Sequence, residues 1–204
     1  MKGRRYALVL ACLVAAAVWT TATPGVAGDA SERVVRFDNV NIAGGAALAG
    51  GRSVSTATGP SGFVGDTLTL TLTGTAEPAE QEASGGGTFV HRAPDGSIKA
   101  RGFYTVTRFV SWTRTSGSFK ATGLIDAIGS ADEAHAGVLK VRVQFWSHGS
   151  VAATGMMTIT CALPGAPPGN EEGVTVIAHP VGTDIHILFT EKTDGGPTLF
   201  HVIS

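Results

Sequence analysis

Strict alternation of apolar and polar residues constrains the fold of this chain more than any other feature. In the stretch DTLTLTLTGT, Leu68, Leu70 and Leu72 alternate with threonines. Successive side chains of a β-strand point to opposite faces, so this pattern places the leucines on one face and the threonines on the other. Such a strand has one buried and one solvated face. No segment of useful length shows the 3.6-residue period of an amphipathic helix.

Similar alternation recurs along the chain and predicts an all-β domain. Predicted strands cover residues 33–41, 66–75, 87–93, 98–113, 137–147, 151–163, 173–178, 183–191 and 198–203, with a weaker candidate at 52–57. Turn signals such as Pro94-Asp95-Gly96 separate them, and glycine- or proline-rich loops are predicted at 43–51, 78–87 and 163–173. About eight to ten strands joined in this way predict a single antiparallel β-barrel or β-sandwich.

The first 28 residues predict a secretory signal peptide. MKGRR is basic, residues 6–19 are apolar, and TTATPGVAG ends in small residues. The apolar run is shorter than the roughly 20 residues that a membrane-spanning helix needs. We therefore expect removal of residues 1–28, a secreted or extracytoplasmic location without stable membrane insertion, and one β domain over residues 29–204.

Charge and cysteine content argue against a nucleic-acid partner and against a disulfide bond. Removing residues 1–28 takes away three of the 15 basic residues and none of the 16 acidic ones. No basic cluster remains to hold a phosphate backbone, so we expect no nucleic-acid partner. Cys161 is the one cysteine left, which rules out a disulfide within the mature chain and predicts a small apolar core residue there.

Signatures of catalysis and of metal binding are missing from the sequence. It contains no G-x-S-x-G elbow, H-E-x-x-H pair, Walker loop or dinucleotide-binding glycine motif. The segment DAIGSADEAHAG offers Asp126, Asp132, Glu133 and His135, but their spacing matches no calcium loop, so we predict a solvated acidic loop there. We therefore predict neither a cofactor nor a metal.

One group of candidate ligand-binding residues lies on the predicted strand 98–113. Tyr104 and Trp112 share a period-two face with Arg108. If that face points inward, Arg108 is a buried cation that needs a carboxylate, backbone carbonyls or a bound anion. The alternative is that Arg108 lies at a rim and its guanidinium reaches water.

A second group lies on the predicted strand 137–147 and the turn after it. One face is apolar from Leu139 to Phe145, and the other carries Arg142, Gln144, Trp146 and His148. These side chains suit the lining of a ligand pocket, or the outside of an antiparallel sheet. The apolar face already accounts for the core, which favours the outer surface. An exposed Trp146 beside Arg142 is then a candidate recognition patch for a sugar or a protein.

These observations favour a secreted, non-enzymatic binding or interaction module whose ligand is a small apolar molecule, a glycan or a protein. The alternative is a cofactor-free barrel enzyme of the cyclase or isomerase type, with a pocket around Tyr104, Arg108 and Trp112. In strand number and compartment, the pattern is similar to small extracellular β-barrels such as the lipocalins and the dirigent and allene oxide cyclase group. No motif of either group is present, so the resemblance concerns architecture and carries no function.

Overall fold

The computed structural model describes residues 34–194 and 196–203, so the predicted signal peptide, residues 1–28, lies outside the described residues. The strands are β1 (Val34–Ala43), β2 (Ala46–Ala49), β3 (Ser53–Ala57), β4 (Thr67–Leu70), β5 (Thr73–Glu77), β6 (Glu82–Arg92), β7 (Ile98–Arg114), β8 (Ile125–Asp126), β9 (Ala134–His135), β10 (Gly137–Ser147), β11 (Ser150–Cys161), β12 (Gly173–Pro180), β13 (Ile187–Asp194) and β14 (Thr198–Ile203). Short 3-10 helices occupy Ser61–Phe63 and Phe119–Thr122. In this part of the chain, no helix combines the length and the apolar character that crossing a membrane requires.

Eight antiparallel strands close into a barrel. Their order is β4-β3-β13-β12-β11-β10-β7-β6, and β6 pairs with β4 to complete the ring. The predicted apolar faces point inward: Leu68 and Leu70 on β4 and Val141 and Val143 on β10 are buried. This confirms the all-β antiparallel prediction and selects the barrel over the sandwich.

Further strands extend the barrel on one side into an outer sheet. The first half of β6 pairs with β5, and the order continues β5-β1-β14-β9. The outer sheet covers one end of the barrel, where Phe200 of β14 packs edge-on against Trp112 of β7 with ring centroids 4.6 Å apart. Barrel and outer sheet therefore share one hydrophobic core.

The predicted strand 66–75 is interrupted at Thr71 and Leu72. The Thr71 carbonyl accepts a hydrogen bond from the Tyr104 hydroxyl at 2.7 Å, and the Thr88 N–H donates instead to Thr71 Oγ1 at 2.8 Å. On either side of this break, β4 and β5 keep the same register along β6. Their other neighbours differ, because β4 pairs with β3 and β5 pairs with β1. The interruption is thus the point at which the barrel and the outer sheet diverge.

Two of the three predicted loops are largely hairpins. Residues 43–51 contain β2, which returns along β1 after a turn at Gly44 and Gly45, both with positive φ. Residues 82–87 belong to β6, because Glu77 and Glu82 close a hairpin over a four-residue turn. The loop predictions at 43–51 and 78–87 were wrong for these residues, since glycine there permits tight turns and close strand approach as well as mobility. The third predicted loop, 163–173, connects β11 and β12 as expected.

The acidic segment at 126–135 is partly buried, which corrects the prediction of a solvated loop. Asp126 accepts a hydrogen bond from His201 Nε2 at 2.7 Å through Oδ2, and Oδ1 accepts the backbone N–H groups of Ile128 and Gly129. Arg36 donates to His201 Nδ1 at 3.1 Å. This network fixes the segment against β14, and it forms because both the carboxylate and the imidazole are removed from water and must be paired.

Glu172 connects the end of β11 to the start of β14. Its carboxylate accepts the backbone N–H groups of Ala162 and Thr198 and the Thr198 hydroxyl. Burial raises the pKa of Glu172 above its ordinary value, and these hydrogen bonds offset only part of that effect. Cys161 lies beside it, fully buried as predicted, and burial raises the pKa of its thiol.

This raised pKa gives Glu172→Gln a testable pH dependence. The folded state binds the Glu172 proton more tightly than the unfolded chain, so wild-type stability falls as the pH rises from the ordinary value through the folded pKa. Glutamine does not titrate. We therefore expect the variant to gain stability relative to the wild type as the pH rises through this range, measured by urea unfolding at a series of pH values. A difference that is constant with pH would contradict the assignment.

Candidate functional site

An apolar cavity of about 280 Å³ lies at the end of the barrel opposite the outer sheet. It is surrounded by the first residues of β4, β7, β11 and β13 and by the last residues of β6, β10 and β12. Its walls are formed mainly by Phe63, Leu68, Phe89, Phe145, Ala153, Ala178, Ile187 and Phe189. An engineered cavity of about 150 Å³ already holds benzene, so this one has room for a molecule the size of two fused rings.

Two neighbouring strands leave space for the cavity, because their inward side chains become smaller toward this end of the barrel. Along β11 the inward positions pass from Ile159 and Met157 to Ala153. Along β12 they pass from Val176 to Ala178. On these two strands the larger side chains lie nearer the outer sheet, and the alanines leave space at the mouth.

A polar cluster of three residues lies beside the cavity, and two of its members line the wall. Asp66, immediately before β4, is 1% exposed and accepts hydrogen bonds from His91 Nε2 at 2.6 Å and from Lys99 Nζ at 2.7 and 3.0 Å. His91 is near the end of β6 and Lys99 near the start of β7, and both line the cavity. The N–H of Asp66 also donates to the Phe63 carbonyl, which fixes the residue at the turn before β4.

Two aromatic neighbours and the burial of the site determine the protonation state of the His91 imidazole. Its ring packs edge-on against Phe189, with centroids 5.2 Å apart, and stacks on Phe63 at 6.4 Å. Desolvation, together with a smaller effect of the Lys99 charge, lowers the pKa of His91 below its ordinary value and outweighs the opposing effect of Asp66. The imidazole is therefore neutral at neutral pH. Because the carboxylate accepts the Nε2 proton, the lone pair of the neutral ring lies on Nδ1.

The structure does not bring together Tyr104, Arg108 and Trp112 as one inward group. Tyr104 and Trp112 are buried, and burial raises the pKa of the tyrosine, but Arg108 is exposed on the outside of the barrel. The cause is a pair of irregularities in the pairing of β7 with β10, where Thr107 and Val110 have no counterpart. Each shifts the alternation by one residue, so the prediction that Arg108 shares the face of Trp112 was wrong. Arg108 reaches water, as the alternative expected, but it does so from the outer face in the middle of β7 and not from a rim.

The second group of candidates faces outward. Arg142 is exposed, and Gln144 and Trp146 are partly exposed on the outer face of β10, opposite the buried Leu139–Phe145 face. Trp146 stacks on Phe103, which is 51% exposed, with ring centroids 6.0 Å apart and planes at 8°. His148 occupies the β10–β11 turn with a φ of 51°. These side chains therefore lie on the outer surface of the sheet and not in a pocket lining. None of the seven predicted site residues lines the cavity.

The sequence analysis did not identify Asp66, His91 or Lys99 as a site. One signal was present, since His91 has the same alternation phase as the inward Phe89 and so is a polar residue on an apolar face. Asp66 and Lys99 carry no such signal, because each lies next to a turn where a charged residue is ordinary.

Comparison of the chain with models of protein families, with curated proteins and with solved structures found no match.

Proposed function

We propose that this chain is an extracytoplasmic binding protein that holds a small apolar molecule in the barrel cavity. The observation that supports this is the cavity itself, which combines aromatic and aliphatic walls with one convergent polar cluster. Ligand sites commonly have this composition, in which apolar walls provide affinity and a few polar groups fix orientation. The export signal predicted in residues 1–28 supports the location.

The size of the cavity limits the class of ligand. A volume of about 280 Å³ lies just below the usual range of roughly 300–1,000 Å³ for drug-sized ligands, which favours a compact aromatic or terpenoid molecule over a long-chain lipid. The polar groups that line the cavity are His91 and Lys99, which predicts one polar substituent on an otherwise apolar ligand.

A cavity-filling variant tests the location of the site. Ala178→Leu adds three carbon atoms to a wall residue, whereas Ile177→Leu changes the outer face of the same strand. We expect Ala178→Leu to weaken the binding of an apolar naphthalene dye by about tenfold or more, equivalent to about 1.4 kcal/mol. Ile177→Leu is expected to bind as the wild type does. Dye fluorescence in a titration gives both affinities.

Glycan or protein recognition by the outer face is the remaining interpretation of a binding module. The stacked pair of Phe103 and Trp146 beside the exposed Arg142 is the surface that supports it. In this case Trp146→Ala removes the binding of a glycan panel and Ala178→Leu has no effect. That result, together with no binding of apolar dyes to the wild type, would overturn the proposal of a cavity ligand.

A further inference from the structure

One ring nitrogen of His91, a residue of the cavity wall, is not used by the protein's own hydrogen bonds. Its Nε2 is held by Asp66, while Nδ1 has no hydrogen-bond partner among residues 34–194 and 196–203 and is not an enclosed atom. His91 itself lines the cavity. Nδ1 therefore carries a lone pair that no described residue uses, on a side chain that lines the cavity.

Asp66 holds the imidazole in the orientation that a base needs. The carboxylate is buried, accepts hydrogen bonds from Lys99, and accepts the Nε2 proton of His91, while the backbone of Asp66 is held by hydrogen bonds with Phe63 and Ala57. A carboxylate in this position selects the tautomer with a basic Nδ1 and stabilises the imidazolium that forms when Nδ1 takes up a proton. Lys99 balances the negative charge of Asp66 while the ring is neutral.

The surroundings suit proton transfer from carbon. The cavity walls are apolar, so a bound apolar molecule displaces water from the region beside the base. Lys99 also lines the cavity, and its ammonium group has three N–H donors, of which the contacts with Asp66 use at most two. The remaining donor can stabilise negative charge on a bound molecule. An apolar wall, an oriented base and a nearby cation are the components of enolisation chemistry.

We propose that His91 is a general base that removes a proton from a carbon acid bound in the cavity, which makes the chain a cofactor-free proton-transfer catalyst. The C–H bond breaks, its proton forms the Nδ1–H bond, and the electron pair delocalises into an adjacent carbonyl or ring. When the imidazolium returns the proton to a conjugated carbon, the product is an isomer and no co-reactant is consumed. This proposal rests on the proposed cavity binding but adds a reaction to it.

A nitrobenzisoxazole is a direct probe of this chemistry. Removal of its ring C–H proton by a base breaks the N–O bond and releases a yellow cyano-substituted nitrophenolate, with no other catalytic group required. Binding is measured first, by displacement of the naphthalene dye, and conversion is then followed by absorbance. We expect saturable conversion that is lost as the pH falls through the pKa of His91, below the ordinary histidine value. The titratable groups around His91 in the described ranges are Asp66 and Lys99.

Single substitutions test whether His91, and not another group of the protein, is the base. His91→Gln is expected to lower the conversion rate by about a hundredfold or more. The control is His186→Gln, which changes an exposed histidine and is expected to leave the rate unchanged. Asp66→Asn tests the positioning role: without the carboxylate charge, the midpoint of the pH–rate profile moves to lower pH. Dye binding by each variant shows that the cavity is intact.

The outcomes separate this inference from the proposed function. If the probe binds and is not converted, or if His91→Gln binds and converts it as the wild type does, the base assignment is overturned while the binding proposal stands. If neither the dye nor the probe binds to the wild type, both proposals fail.

Discussion

Asp126→Ala is expected to lower the free energy of unfolding by about 3–5 kcal/mol, because it removes a buried carboxylate and leaves its buried hydrogen-bond donors without an acceptor. The side chains of Asp126 and His201 are 2% and 1% exposed, so neither can exchange its partner for water. The substitution also leaves the backbone N–H groups of Ile128 and Gly129 without their acceptor. Chemical denaturation followed by circular dichroism measures the change.

The matched control for this prediction is Asp132→Ala in the same segment. Asp132 forms an ion pair with Lys120, but the two side chains are 77% and 63% exposed. Exposed pairs of this kind contribute little to stability, so no change beyond experimental error is expected. Equal losses for the two variants would show that burial of the Asp126 network is not what stabilises the segment.

Phe200→Ala is expected to destabilise the protein by a similar amount, about 3–5 kcal/mol. Phe200 is fully buried in the outer sheet, and its ring contacts Trp112 of the barrel. Truncation removes the apolar surface that joins the two parts and leaves a void that rigid strands on both sides cannot fill. Thermal and urea unfolding both report this loss.

Ile203→Ala on the same strand is the control for Phe200→Ala. Ile203 is 41% exposed, so a much smaller loss is expected. Because barrel and outer sheet share one core, unfolding of the Phe200 variant should remain a single transition. Two separated transitions would show that the outer sheet and the barrel unfold independently.

The faces of regular strands could be predicted from the sequence. Leu68, Leu70 and Leu72 are buried, and so is the Leu139–Phe145 face of β10. These assignments depend only on the two-residue period of a strand and on the free energy gained when apolar side chains leave water. Both are local properties of the chain, and the same information was sufficient for an all-β antiparallel fold.

Features that depend on a partner strand could not be predicted in this way. The irregularities at Thr107 and Val110 arise where β7 bends along β10, and they reverse the alternation that assigned Arg108 to the inside. The hairpins at 43–51 and 77–82 are paired because neighbouring strands are available, whereas glycine content alone indicated loops.

The polar cluster illustrates the same limit for the candidate site. Asp66, His91 and Lys99 come from a turn and from two strands, and no short motif links them. They converge because β4 pairs with β6 when the barrel closes, which places Leu68 opposite His91. Strand order is a global property, and a single sequence contains little information about it.

Trp112 and Phe200 cover one end of the barrel, so the cavity can be reached only from the opposite end. A ligand of the kind proposed above would have to enter and leave by the same opening, between the β6–β7, β10–β11 and β12–β13 connections. A ligand substituent too long for the cavity would extend into solvent through that opening. On that proposal, substitutions in these connections would alter the rate of ligand release and leave the packing of Trp112 against Phe200 unchanged.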